Sequence, residues 1–160
     1  MITEIIITII ACYLGSIVIS GLMGFIVAHY EDYTYVASRS HRDLHPYYAA
    51  VRLIIFGFLT YHVESQTAQV DDGAYYWWVT PGLFFLSCMC TWSFFYNGIQ
   101  YTMRCELSGG KVYKKKFFAK KEKGSDPNPA KINMSFPLRA FLFAFGTIIA
   151  FMLVKSILNL

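Results

Sequence analysis

Two of the four histidines, His41 and His45, stand four positions apart in the segment SRSHRDLHP, with Asp43 between them. On a helix, residues i and i+4 share a face, so an HxxxH pair offers two imidazoles to one metal ion. His29 is the third candidate ligand, and Glu31, Asp32 and Asp43 are the nearby carboxylates. Pro46 weakens that chemistry, because the residue before a proline is biased away from helical backbone. The competing reading is a short polar joint at headgroup level, from which a helix starts at Pro46. In that reading the histidines are simply hydrogen-bonded at the interface.

Over these five residues the pattern resembles the HxxxH box of membrane fatty-acid hydroxylases and desaturases. That family also uses boxes with paired histidines. No two histidines are adjacent anywhere in this chain, so no ligand set carries over from the resemblance.

A second chemistry-bearing stretch is KVYKKKFFAKK, residues 111–121. Eight lysines fall between Lys111 and Lys131, which makes the net charge of +4 a local rather than a general excess. Clusters of this kind are attracted to anionic headgroups, at roughly 1 kcal/mol per basic side chain near the surface. Lys114, Lys115, Lys116, Lys120 and Lys121 supply the charge, and Phe117 and Phe118 the apolar wedge. A positive patch attracts any polyanion, but no nucleic-acid-binding motif accompanies this one, and the expected partner is the membrane surface.

A third group is Asn97, Gln100, Tyr101 and Arg104, whose spacings of three, four and seven put them on one helix face. With Arg52 they form a candidate headgroup-phosphate site, or equally a set of interhelical contacts. There is no GxSxG, P-loop or HExxH sequence, and no carboxylate inside an apolar block beyond Glu4. No cofactor is expected, and catalysis is not the leading expectation. Cys12, Cys88, Cys90 and Cys105 show no disulfide framework, and three of them read as small packing residues.

These residues need elements to position them, and the composition says which. The chain has 160 residues, of which 56% are hydrophobic and only 15% charged. The apolar residues fall into four long blocks, about 5–28, 46–63, 74–101 and 136–158. The expected fold is therefore an all-α integral membrane protein, one domain over 1–160, with four transmembrane helices, a short interfacial loop and a basic loop over 102–135. The first block lacks the basic start and short core of a signal peptide, so it is expected to be a retained helix. Arg39 and Arg42 lie in the first connection and the lysines in the third, whereas the second holds only acidic charges. Four spans put both basic connections on one side, which is the cytoplasmic side of a bacterial inner membrane or its organellar equivalent. Both termini then lie on the other side. His62 falls there too, roughly 30 Å from His29.

The most regular pattern is Thr8, Cys12, Ser16, Ser20, Gly24 and Ala28, a small residue every four positions. Small residues let helix backbones approach closely. The stripe is expected to seat another helix, from this chain or from a partner. The leading functional expectation is a non-catalytic accessory subunit of a larger membrane complex, packing through this stripe. The alternatives are a small enzyme or lipid- or metal-binding protein acting at the inner interface, and a self-associating, holin-like pore former.

Overall fold

The computed structural model describes residues 2–38, 45–68, 79–107, 117 and 135–158. Side chains at 31–38, 45, 46 and 104 are not described. Four helices account for nearly all of these residues: α1, Ile2–Ser38; α2, His45–Thr67; α3, Val79–Leu107; and α4, Phe136–Leu158. No strand occurs among the described residues.

Prolines mark three of the four starts. Pro46, Pro81 and Pro137 fall within the first three residues of α2, α3 and α4, where a missing N–H costs no intrahelical bond. The first turn of α4 closes with the Arg139 amide donating to the Ser135 carbonyl at 3.0 Å. At the other end of α2, the Ala68 amide donates to the Glu64 carbonyl at 2.8 Å, and the Thr67 hydroxyl folds back on the carbonyls of Val63 and Glu64, both at 3.1 Å.

The helices differ from the apolar blocks at their edges, for one physical reason. Hydropathy marks where a helix can sit in hydrocarbon, whereas its end requires a breaker. Nothing between Ala28 and Ser38 breaks a helix, so α1 continues ten residues past its apolar block. At about 1.5 Å per residue it is roughly 55 Å long, well beyond a hydrocarbon layer of about 30 Å. Likewise α3 runs on to Leu107, while Trp77 and Trp78 of the expected aromatic belt lie outside the described residues.

Among the described residues, three segments are long and apolar enough to cross a membrane: Ile2–Tyr30 of α1, Val79–Leu107 and Phe136–Leu158. Helix α2 is long enough but more polar, because Arg52, His62 and Glu64 interrupt it.

Contacts along α3 fix the directions. Tyr13 pairs with Thr147, whose neighbour Gly146 meets Ser87 and Thr91, and Gly24 meets Tyr96 further along both helices, so α1 runs parallel to α3. Arg52 lies on Trp92, and Phe56 on both Trp92 and Phe85, so α2 runs antiparallel to it. Arg139 lies on Tyr101, Phe143 on Phe94, and Gly146 on Ser87, so α4 is antiparallel as well. The C-terminal ends of α1 and α3 and the N-terminal ends of α2 and α4 therefore share one end of the bundle. Both basic connections join helices at that end.

Helix α3 is the hub. It packs on all three other helices, whereas α2 and α4 do not touch. Phe56, Val63, Phe84 and Cys88 are fully buried around it, with Ile5, Ile9, Trp92 and Leu153 nearly so.

Inside and outside are distinguished by size more than by polarity. Along α1, Ser16 and Ser20 are 0% and 1% exposed, while Ile7 and Val18 are 60% and 67% exposed. Around the bundle, Ile54, Phe58, Phe141, Phe151 and Met152 also face outward. Each such side chain left in water forgoes about 1.5–3 kcal/mol of burial, so this exterior is built for hydrocarbon. Without a hydrophobic force between helices, close backbone packing holds them together.

Candidate functional site

The small-residue stripe has an occupant. Cys12, Ser16, Ser20, Gly24 and Ala28 are buried, and Thr8 is half-buried. A Cβ on Gly24 would lie 2.5 Å from the Tyr96 carbonyl oxygen and 3.2 Å from that residue's Cα. The groove thus seats α3 of the same chain, backbone against backbone at Gly24. The serine hydroxyls of the stripe bond mainly along α1, although Ser16 also meets the Cys88 thiol of α3. Ser16 donates to the Tyr13 carbonyl at 2.7 Å and Ser20 to the Ser16 carbonyl at 2.6 Å, both within α1. Polar bridges between helices are also made by Ser87, which donates to the Gly146 carbonyl at 2.7 Å, and by Tyr13 and Thr147, whose hydroxyls pair at 3.0 Å.

The arrangement with most chemical content lies where α3 finishes and α4 begins, and its centre is Arg139. This side chain is 0% exposed, although it stands only three residues into α4. Its Nη2 donates to the Phe117 carbonyl at 2.8 Å. Its guanidinium carbon lies 5.4 Å from the Tyr101 ring centre and 5.9 Å from those of Phe117 and Phe136. Aromatic faces offset part of a buried cation's cost, by about 2 kcal/mol where water is excluded. They accept no conventional hydrogen bonds, and Nε and Nη1 have no hydrogen-bond partner among the described residues. A buried charged group left unsatisfied is among the costlier defects a fold can carry.

Phe117 is held from both sides. While Arg139 grips its carbonyl, its ring lies on the bare backbone of Gly98, where a Cβ would collide with it. The same ring meets Phe94 edge-on at 5.1 Å. Phe94 in turn stacks on Phe143 of α4 at 4.8 Å. One residue of the lysine-rich segment is therefore seated in the bundle. Phe118, Lys114, Lys115, Lys116, Lys120 and Lys121 lie outside the described residues.

On the opposite flank of α3, Arg52 lies 5.6 Å over Trp92, whose ring stacks on Tyr96 at 5.1 Å. Arg52 is half-buried, and its Nε has no hydrogen-bond partner among the described residues. Gln100 and Tyr101 are buried and Asn97 half-buried, while the Arg104 side chain is not described. The expected polar face of α3 thus turns into the bundle, and it is Arg139 that joins it.

The candidate metal ligands are not brought together in view. His29 is exposed, with its ring against Phe25 at 4.5 Å. His41 and the side chain of His45 lie outside the described residues. Among the described residues, no three His, Cys, Asp or Glu side chains converge.

Arg139 escapes a reading by hydropathy because a single charge at the edge of an apolar run looks like a boundary marker. The signal that would find it is its place in the helix. A cation in the first turn faces the positive end of the helix dipole, and no acidic residue stands in that turn to offset it. No known protein family, curated protein or solved structure matches this chain.

Proposed function

We propose that the chain is a non-catalytic accessory subunit of a larger membrane assembly. Its helices are the anchor, and its working surface is the lysine-rich segment at the end shared by α3 and α4. The observation that carries this reading is the seating of Phe117 by Arg139 and Gly98. Chain connectivity keeps Lys114, Lys115, Lys116, Lys120 and Lys121 within a few residues of that anchor, at ~3.8 Å per residue. A tethered basic surface suits anionic lipids and the acidic faces of other subunits. The stripe on α1 is filled by α3, which leaves self-association no free surface there.

In this reading all four helices cross the bilayer. Helix α2 has 23 residues, roughly 34 Å of helix. It runs beside α3 and turns Leu53, Ile54 and Phe58 outward. The shared end carries both basic connections and faces the cytoplasmic side, with both termini opposite.

The test is mild extraction from the native membrane, size separation and mass spectrometry of the peak. The expected result is other polypeptides in fixed ratio with this chain, lost when Lys114, Lys115, Lys116, Lys120 and Lys121 are all changed to Gln. A peak holding this chain alone, or partners retained by the neutralised variant, would remove the reading.

A further inference from the structure

We propose that Arg139 and the start of α4 form a binding site for a phosphate group. The inference depends on the membrane-facing exterior but not on the accessory-subunit reading, and it concerns a site distinct from the lysines of the 111–121 segment.

Three observations converge. Arg139 is fully buried, yet Nε and Nη1 have no hydrogen-bond partner among the described residues. The side chain stands in the first turn of a 23-residue helix, whose N-terminal end carries partial positive charge. No carboxylate stands in that turn, and no ion pair to Arg139 is made among the described residues. Two positive features therefore occur in the same turn, which holds no acidic residue. An anion placed there is stabilised by both, through charge-assisted N–H donors and through the dipole.

Phosphate is compatible with the donor set and is favoured over a carboxylate by depth. A guanidinium presents several N–H groups in a plane, and a tetrahedral oxyanion with several acceptor oxygens matches it. Depth is set by α4. Arg139 lies only about 4.5 Å along the axis from Phe136, at ~1.5 Å per residue. In a membrane-crossing helix this is the level where hydrocarbon meets headgroups. In the first turn of α4, Pro137 and Leu138 are exposed, and Ser135 just before it is half-buried. Phe117 and Phe136 lie against the guanidinium, their ring centres 5.9 Å from its carbon.

Two sources present this chemistry, a lipid phosphodiester and free inorganic phosphate. They are told apart with the full-length chain, labelled with ¹⁵N-arginine, in phosphate-free maltoside micelles. The Arg139 Nε–H signal is assigned by its disappearance in Arg139→Lys and followed during separate titrations with dihexanoylphosphatidylglycerol and with inorganic phosphate. A saturable shift of this signal with the lipid alone assigns the site to a headgroup. A saturable shift with inorganic phosphate as well assigns it to phosphate from either source. Retention of the lipid by Arg139→Lys, measured by native mass spectrometry, is expected to fall at least about tenfold, because one ammonium replaces the planar set of donors. The proposal is overturned if neither probe moves the signal. It is equally overturned if the other arginine signals shift in parallel with it. The wild-type titrations stand even if the variant fails to fold.

Discussion

Replacing Gly24 by alanine tests how the bundle is held together. The added methyl would sit 2.5 Å from the Tyr96 carbonyl oxygen, with that residue's C and Cα at 3.2 Å. All three are backbone atoms of α3, so no side chain can swing aside. Restoring an ordinary contact of 3.4 Å requires α1 and α3 to part locally by about 0.9 Å. A radial gap of that size forfeits up to about half of each dispersion contact along the seam. Overpacking of this kind costs roughly 1–3 kcal/mol, and the rigidity of the obstacle places Gly24→Ala near the top, about 2–3 kcal/mol. Gly15 is the internal control. It lies on the same helix, and a Cβ there meets nothing within 4 Å. Gly15→Ala is therefore expected to be neutral or stabilising by up to about 1 kcal/mol, from helix propensity alone. A thiol-reactive dye reads the difference, since Cys12, Cys88, Cys90 and Cys105 are all buried and react only as the bundle opens. In maltoside micelles, Gly24→Ala should open at clearly lower temperature than wild type, and Gly15→Ala should not. Equal behaviour of the two variants would falsify the close-packed α1–α3 seam.

Two further outcomes follow from the same geometry. Ser87→Ala removes the bridge to the Gly146 carbonyl and should destabilise by about 0.6 kcal/mol, at most about 1.7. A loss in the dye assay as large as that of Gly24→Ala would show that polar bonds rather than backbone contact hold the helices. Gly98→Leu should expel the Phe117 ring and raise tryptic cleavage after Lys114, Lys115 or Lys116 about tenfold. Phe117→Ala should do the same, and unchanged cleavage in both variants would sink the seating argument.

Much of the architecture is legible in the residues alone. Helix α4 occupies the expected 136–158 because Pro137 starts it and no charge interrupts it between Arg139 and Lys155. The stripe on α1 is legible as a close-approach surface. What lies against it is not, because spacing says how near a helix can come but not whose helix it is. Boundaries at Ala28 and Tyr101 fall short, since hydropathy follows the solvent while the helix follows its backbone bonds. The Arg139–Phe117 contact joins residues 22 positions apart across a connection with no periodicity, so no local pattern reports it. Its trace is electrostatic, a cation at the wrong end of a helix dipole.

The central place of α3 has a consequence for how the chain is made. Helices leave the ribosome in sequence order, so α1 and α2 are complete while the segment that fills the α1 groove is still being synthesised. During that interval Ser16, Ser20, Gly21 and Gly24 face lipid, or whichever small-faced helix is nearest. A nascent chain stalled after Thr67 carries an open seat, and another copy stalled at the same point carries an identical one. Translation speed through Val79–Leu107 therefore bears on whether the chain closes on itself or on a neighbour.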